Sequence, residues 1–160
     1  MTKFYLNLSE KGNIPVASTL LGLSAFPAKH PLYVGYLGMH GNYGPNVLTN
    51  ECDVLIAVGM RFDDRVTGRL DKYAKQAKII HLDIDPAEID KNVKADVGVW
   101  GDCKETLPLL TLGIQEKDRS EWLNIFKEYA QKEYDQCIKN ELYPNSDAMT
   151  MGEVIRIVNE

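Results

Sequence analysis

Residues 53–59, DVLIAVG, form an uninterrupted apolar run that ends in glycine, and this run decides the fold class. Such a run is typical of a strand covered on both faces, as in a parallel sheet. Residues 78–84, KIIHLDI, repeat the pattern, and residues 97–101, VGVWG, form a third, shorter strand. Helical segments alternate with these strands, so the sequence predicts an α/β domain with a parallel sheet.

The segments before this run predict one more strand and few helices. Residues 14–19 form a short strand, and Pro15 fits its entry or an edge position. Residues 20–37 are rich in Gly, Pro and apolar residues without clear periodicity, so we expect a loop with short helical turns. Pro45 can lie in the first turn of a helix that ends near Cys52.

Short helices are also predicted between and after the later strands. A polar loop at residues 61–68 precedes a short helix at about residues 70–76. Asp85 is a plausible N-cap for a helical turn that begins at the following proline. Asp102 is predicted to cap a helix that continues to about Leu112.

The last third of the chain predicts a different structure. Apolar and aromatic residues recur at helical spacing over residues 120–142, which predicts a long amphipathic helix with an aromatic packing face; Pro144 ends it. Residues 150–153, TMGE, form a capping box for a new helix. Residues 1–12 are typical of the tail of a helix with Gly12 at its C-cap. Because no strand precedes that first helix and the last helix has barely begun, we expect both ends to be cut from a longer protein.

Composition excludes several classes of function. The 160 residues are 44% hydrophobic and carry a net charge of -5, which is ordinary for a globular protein and argues against nucleic-acid and anionic-membrane partners. No apolar run approaches the roughly 20 residues of a membrane helix. Cys52, Cys103 and Cys137 are far apart, so the sequence predicts no zinc site. Their odd number and the lack of an export signal in this sequence predict a reducing, cytoplasmic environment.

Polar clusters follow the predicted strands, where ligands of open parallel sheets bind. Arg61 and Arg65 offer planar charged groups for phosphate oxygens, and Asp83 can accept a hydrogen bond from a ribose hydroxyl or an adenine amine. Alternatives remain open, because arginine and aspartate of one loop often pair with each other and a lone histidine such as His40 is often structural. The chain has no Gly-x-Gly-x-x-Gly, no P-loop and no catalytic set. The pattern alone therefore predicts a dinucleotide-binding edge without a visible reaction.

The stretch from residue 14 to residue 102 resembles the central domain of the acetohydroxyacid (acetolactate) synthase catalytic-subunit family. The matching stretches are IPVASTLLGLSAFPAKHPL, LGMHG, DVLIAVGMRFDDRVTG and AKIIHLDIDPAEIDKN, followed by GD. GMRFDDRVTG is specific to this family among thiamine-diphosphate enzymes. The resemblance implies a Rossmann-like (DHS-like NAD/FAD-binding) three-layer domain over residues 1–114, with its first strand missing. A linker helix at 115–148 and the start of the thiamine-diphosphate/Mg-binding domain at 149–160 would follow.

The resemblance also implies cofactors and partners. The parent would be a transferase that condenses pyruvate, after decarboxylation, with pyruvate or 2-oxobutyrate, in branched-chain amino acid biosynthesis. It would use thiamine diphosphate and Mg²⁺, bind FAD structurally, and form a homodimer or tetramer with a small regulatory subunit. This segment would be a non-catalytic, metal-free part of it. The implied FAD contacts are Thr19, Leu20, Leu21, Gly38, Met39, His40, Gly41, Gly59, Met60, Arg61, Asp63, Arg65, Val66, Asp83, Ile84, Gly101 and Asp102.

The chain departs from the family pattern in several places. After GMHG the family commonly has Thr and a Tyr-Ala-Asn run, whereas residues 42–46 are NYGPN, which leaves that helix start in doubt. The Gly-rich turn of the first strand, the activating Glu and the Mg²⁺-binding motif are absent. The alternatives are the middle domain of another thiamine-diphosphate enzyme, of the pyruvate oxidase or glyoxylate carboligase type, and a stand-alone nucleotide-binding module.

Overall fold

A computed structural model describes residues 2–145 and 148–160, so Met1 of the predicted first helix and residues 146–147 of the predicted linker lie outside the described residues. The described strands are β1 Val16–Ser18, β2 Tyr33–Tyr36, β3 Val54–Val58, β4 Lys78–Asp83 and β5 Val97–Trp100. The described helices are α1 Thr2–Gly12, α2 Tyr43–Leu48, α3 Asp64–Thr67, α4 Cys103–Gly113, α5 Ser120–Glu133, α6 Lys139–Leu142 and α7 Met151–Asn159. A 3₁₀ turn spans Leu20–Gly22, and a π-helical segment, Tyr134–Ile138, joins α5 to α6.

The strands form two parallel sheets, which confirms the predicted α/β class. β1 pairs with β2, and β4 lies between β3 and β5. Alternate residues of β3 form backbone hydrogen bonds with β4, beginning at Asp53, whose carbonyl accepts the Lys78 N–H. In the described part of the chain β3 pairs only with β4, so the backbone groups of Val54, Ile56 and Val58 form an open edge.

Apolar cores cover both faces of the three-stranded sheet. On one face, Leu8 of α1 and Leu107 of α4 pack with Leu82 of β4. On the opposite face, Ala57 and Ile79 pack with side chains of the 60–77 segment, including Phe62 and Tyr73. Burial of one such large apolar side chain stabilises the fold by about 1.5–3 kcal/mol. Burial on both faces explains why β3 and β4 are almost continuously apolar in sequence.

The expectation of a loop over residues 20–37 was wrong in one part. β2 occupies Tyr33–Tyr36, although its register with β1 is irregular between Val16 and Ala17. Gly35 has φ +112°, a conformation that no regular strand pattern predicts. The strand is therefore held by pairing with β1 and by the segment after it, and its four residues alone carry no clear signal.

The predicted helix at residues 70–76 was also wrong. That segment forms turns, and the nearby helix is α3, inside the predicted polar loop. Ala74 has φ +44°, and its N–H donates to the Asn50 side-chain oxygen at 2.8 Å. Tyr73 is buried against Phe62. A tertiary hydrogen bond and burial of Tyr73 thus override the local helix preference.

The predictions for the remaining helices are largely confirmed. Helical structure runs from Ser120 to Leu142, interrupted only by the π-helical segment. The Thr150 hydroxyl accepts the Glu153 N–H at 3.1 Å, as the capping box predicted. Gly12 is the last residue of α1 rather than the left-handed position, which falls on Asn13 at φ +51°.

Candidate functional site

The predicted site residues all lie beyond the carboxyl ends of strands. Thr19, Leu20 and Leu21 follow β1, and the 38–41 loop follows β2. Gly59 begins the long loop after β3. Asp83 and Ile84 lie at the end of β4, and Gly101 and Asp102 follow β5. Because parallel strands present their carboxyl ends at one edge, the groups of each sheet lie together, and a hydrogen bond from the Met39 N–H to the Arg65 carbonyl joins the two edges into one rim.

Backbone hydrogen bonds join the groups along this rim. The Leu37 N–H donates to the Ser18 carbonyl at 2.8 Å, which ties the end of β2 to the end of β1. The Gly59 N–H donates to the Leu82 carbonyl at 2.8 Å, and the Gly101 N–H to the Asp83 carbonyl at 3.0 Å. The loops after β3, β4 and β5 are therefore fixed relative to one another.

The 38–41 loop packs directly on the loop after β3. The Met39 N–H donates to the Arg65 carbonyl at 2.7 Å, so the two sheets meet at this point of the rim. Gly38 has φ +115°, and a Cβ atom on it would lie 2.8 Å from the Arg65 carbonyl oxygen. Only glycine allows this close approach without displacing the neighbouring loop.

Two asparagines of the NYGPN stretch hold the 38–41 loop, and sequence reasoning missed both. The Asn46 side chain accepts the Gly38 N–H at 3.0 Å and donates to the Gly38 carbonyl at 2.9 Å. Asn42 accepts the Tyr36 N–H at 3.1 Å and donates to the Glu133 carboxylate of α5 at 3.3 Å. The helix start that was in doubt is thus α2 with Asn42 as its N-cap, although the Asn42 side chain makes no capping bond.

The loop after β3 carries the positive charge of the rim. The Arg61 guanidinium is 60% exposed and lies 3.3 Å from the Asp63 carboxylate. Asp63 also caps α3, because its carboxylate accepts the Arg65 N–H at 3.0 Å. The exposed Arg65 guanidinium contacts the Met39 sulfur at 3.8 Å. The predicted pairing within the loop is therefore present for Arg61 and Asp63, while Arg65 points toward the 38–41 loop.

The ends of β4 and β5 are acidic instead. Asp83 is buried, and its carboxylate accepts the Asp85 N–H at 2.9 Å. Asp102 caps α4 by accepting the Lys104 N–H at 2.8 Å. Burial raises the pKa of the Cys103 thiol, and the carboxylates of Asp102 and Asp83 raise it further. This part of the rim therefore accepts hydrogen bonds and disfavours phosphate, whereas the arginine loop favours phosphate.

Comparison with known proteins identifies the family of this fold. Residues 1–110 match the family described as "Thiamine pyrophosphate enzyme, central domain". The chain belongs to this family.

Individual relatives are acetolactate synthase large subunits by name. The chain is 51% identical over 121 residues to a "Probable acetolactate synthase large subunit" of Methanocaldococcus jannaschii, covering 74% of this chain and 20% of that protein. It is 50% identical over 105 residues to the "Acetolactate synthase isozyme 2 large subunit" of Escherichia coli K12, covering 66% and 19%. Against the large subunit of Buchnera aphidicola from Acyrthosiphon pisum it is 38% identical over 155 residues, covering 92% and 27%. The chain thus spans about a fifth to a quarter of these curated relatives.

Exposure separates the predicted site residues of this central-domain chain into two kinds. Leu20, Leu21, Met39 and Ile84 are 62–89% exposed apolar side chains on the rim, and His40 is exposed beside them. Met60 and Asp83 are buried, and Val66 is half-buried against the same core as Met60, so these side chains offer less surface to a ligand than those on the rim. No described helix is long and apolar enough to cross a membrane.

Two further rim residues were missed by sequence reasoning. The Asn92 side chain donates to the Arg61 carbonyl at 3.0 Å, which ties the 85–95 segment to the arginine loop. Trp100 ends β5 and is 71% exposed. Neither stands out in sequence, because the contact of Asn92 spans 31 residues and Trp100 continues an apolar strand pattern.

Proposed function

We propose that this chain is the central segment of an acetolactate synthase large subunit and that its rim binds FAD. One observation carries the proposal: two of the stretches that carry the resemblance, LGMHG and the family-specific GMRFDDRVTG, meet through the hydrogen bond from the Met39 N–H to the Arg65 carbonyl. The three relatives described above support the parent's identity by their names.

The charges along the rim fit a dinucleotide. The guanidinium groups of Arg61 and Arg65 are exposed beyond β3 and suit a diphosphate, for which arginine is a preferred partner. The acidic groups of Asp83 and Asp102, beyond β4 and β5, suit hydroxyl and amine donors of an adenosine. The exposed apolar side chains of Leu20, Leu21 and Met39 offer a surface for packing against an apolar ring system. The residues present therefore fit FAD, which would serve here as a structural group.

The remaining properties of the parent are also part of the proposal. The parent enzyme would use thiamine diphosphate with Mg²⁺ and join 2-keto acids, and it would be a cytoplasmic homodimer or tetramer. Its named relatives are large subunits, which supports a small regulatory subunit as a partner. Within the chain, residues 1–114 would form the central domain, 115–148 a linker and 149–160 the start of the domain that binds the diphosphate of the thiamine cofactor.

A titration of the 160-residue chain with FAD tests the proposal. We expect binding that is weaker than about 1 μM, or roughly -8 kcal/mol, because the open edge of β3 leaves one side of the cleft without a paired strand. Flavin fluorescence and calorimetry measure the dissociation constant. A dissociation constant below about 1 μM would show that the open edge does not limit binding.

Matched arginine variants test whether FAD binding depends on the arginines of the rim rather than on any exposed arginine. Arg61→Gln and Arg65→Gln each remove one charge-assisted hydrogen-bond donor group, worth about 1.5–3 kcal/mol, so each should weaken FAD binding by roughly 10- to 140-fold. Arg69→Gln is the control. The Arg69 side chain is 70% exposed, its guanidinium lies 2.6 Å from the Asp71 carboxylate, and it is not among the predicted FAD contacts. Equal effects of all three substitutions, or no FAD binding up to about 1 mM, would contradict the proposed site.

A further inference from the structure

Trp100 occupies a position on the rim that its apolar character alone does not explain. It ends β5, pairs in register with Asp83 of β4, and is 71% exposed. Tryptophan combines a large apolar ring with an N–H donor, so the protein can hold it by the N–H while a ring face remains for a flat ligand. The next two residues along the chain are Gly101 and Asp102, two of the predicted FAD contacts.

The indole of Trp100 is anchored rather than free. Its Nε1–H donates to the Ile84 carbonyl at 3.1 Å, so the ring reaches across to the turn that follows β4. The Gly101 N–H also donates to the Asp83 carbonyl, which fixes the backbone on both sides of the contact. A hydrogen bond at the ring edge leaves the faces of the indole available. Ile84 itself is 68% exposed and extends the apolar surface beside the ring.

We infer that Trp100 is a ligand-contact residue that stacks on the adenine ring of the dinucleotide. The inference rests on the proposed FAD function and adds to it a residue that determines nucleotide affinity. An anchored aromatic face beside acceptors for ribose and amine donors is the arrangement that holds a nucleobase, because every base presents a π face to stack on. Asp102 then accepts from the polar edge of the adenosine while Trp100 supplies the contact area, and the buried Asp83 carboxylate holds the turn after β4 by accepting the Asp85 N–H.

Tryptophan fluorescence of ADP-titrated protein tests the inference directly. The chain contains two tryptophans, so Trp122→Phe leaves Trp100 as the sole reporter and Trp100→Phe leaves Trp122. Trp122 is the matched control, because it packs edge-on against Phe126 of α5 at 5.5 Å. ADP is the probe, since it contains the adenine without the absorbing flavin. We expect saturable quenching in the Trp122→Phe protein and none in the Trp100→Phe protein.

Affinity measurements on the same proteins provide the second readout. Trp100→Ala should weaken ADP binding by about 5- to 140-fold, the range that corresponds to 1–3 kcal/mol of base stacking. Trp100→Phe keeps an aromatic face and should retain most of the affinity. Inorganic pyrophosphate has no base, so its affinity should be the same for wild type and Trp100→Ala. Thermal unfolding of each variant confirms that the fold is kept.

The outcomes distinguish this inference from the function on which it rests. Calorimetric ADP binding without quenching of Trp100, or with unchanged affinity in Trp100→Ala, overturns the stacking contact and leaves the FAD proposal standing. Equal losses of ADP and pyrophosphate affinity in Trp100→Ala overturn it as well, because they indicate a general distortion of the rim. If neither FAD nor ADP binds up to about 1 mM, the proposed function fails and the stacking contact fails with it.

Discussion

Asn46 is the residue whose replacement tests most sharply how the rim is built. Its side-chain amide makes two hydrogen bonds with one backbone unit, that of Gly38, at 3.0 and 2.9 Å. Gly38 precedes Met39, whose N–H reaches the Arg65 carbonyl across the rim. We therefore expect Asn46→Ala to loosen the 38–41 loop and, through it, the contact between the two loops.

The size of the effect follows from the two bonds. A neutral hydrogen bond of a protein contributes about 0.5–1.5 kcal/mol net, so loss of both should lower the free energy of unfolding by about 1–3 kcal/mol. For a chain of this length each kcal/mol corresponds to roughly 2–4 °C in Tm. Loss of the bond that protects the Gly38 N–H should also accelerate its local hydrogen exchange by about 2- to 12-fold.

Asn46→Asp separates the donor of the amide from its acceptor. At neutral pH the new carboxylate still accepts the Gly38 N–H, but it has no proton to donate to the Gly38 carbonyl. Its protonated form can make both bonds. The fold therefore favours the neutral form and raises the pKa of the new carboxyl above the ordinary 3.9 or so.

The sign of the pH dependence follows from that preference. For an acid with a raised folded pKa, the stabilisation is fully present below the unfolded pKa and is lost as pH rises through the folded pKa. The loss of unfolding free energy in Asn46→Asp relative to wild type should thus become smaller as pH falls from 7 to about 4. The corresponding loss in Asn46→Ala should not change with pH.

Urea unfolding at several pH values and NMR hydrogen exchange measure these differences. Asn124→Asp is the control, because Asn124 is exposed on α5. Unchanged exchange of the Gly38 amide in Asn46→Ala, or a deficit of Asn46→Asp that is independent of pH, would refute the argument. Neither result depends on whether FAD binds.

Three further predictions concern other parts of the chain. Gly38→Ala should lower the free energy of unfolding by about 1–3 kcal/mol or more, because φ is +115° and the new Cβ would lie 2.8 Å from the Arg65 carbonyl oxygen. Gly113→Ala is the control, since nothing lies within 4 Å of its Cβ, and it should be neutral or stabilising. Urea unfolding of both variants measures the difference. Burial, with the Cys103 thiol nearby, raises the pKa of Tyr5 to about 12 from 10.0, so the stability that Tyr5 contributes below pH 10 should be lost between pH 10 and 12; the same fall in Tyr5→Phe would contradict this. The 160-residue chain alone should form no acetolactate from pyruvate with thiamine diphosphate, Mg²⁺ and FAD, and colorimetric detection of acetolactate would overturn that expectation.

The elements predicted well from sequence are those whose signals are local. β3 and β4 are apolar because both of their faces are covered, so a short window of sequence contains the evidence. The Asp102 cap of α4 and the Thr150 cap of α7 are likewise bonds between residues two or three apart. In such cases the physical cause and the sequence pattern lie in the same few residues.

The elements predicted wrongly or missed depend on distant partners. The 70–76 segment is turned rather than helical because Asn50, 24 residues earlier, accepts the Ala74 N–H. Asn42 contacts Glu133 across 91 residues, which no local pattern contains. The strand pattern placed the polar clusters at strand ends, where the structure has them, but neither it nor the resemblance indicated that residues 42–46 hold the 38–41 loop in place.

The order of the strands gives the proposed ligand a direction. Neighbouring strands lie about 4.8 Å apart, so the loops after β3 and β5 are separated by two spacings, or roughly 10 Å. The arginines lie at the β3 end of that distance, and Asp102 and Trp100 at the β5 end. A dinucleotide bound with its diphosphate at the arginines therefore extends its adenosine toward β5, while its other half extends toward Met39 and the ends of β1 and β2. The reverse orientation would keep the diphosphate at the arginines but place the apolar ring system beside the Asp102 carboxylate and the adenosine beside the exposed apolar side chains of Leu20, Leu21 and Met39, which offer no acceptor. The order of charged and apolar groups along the rim therefore favours one orientation.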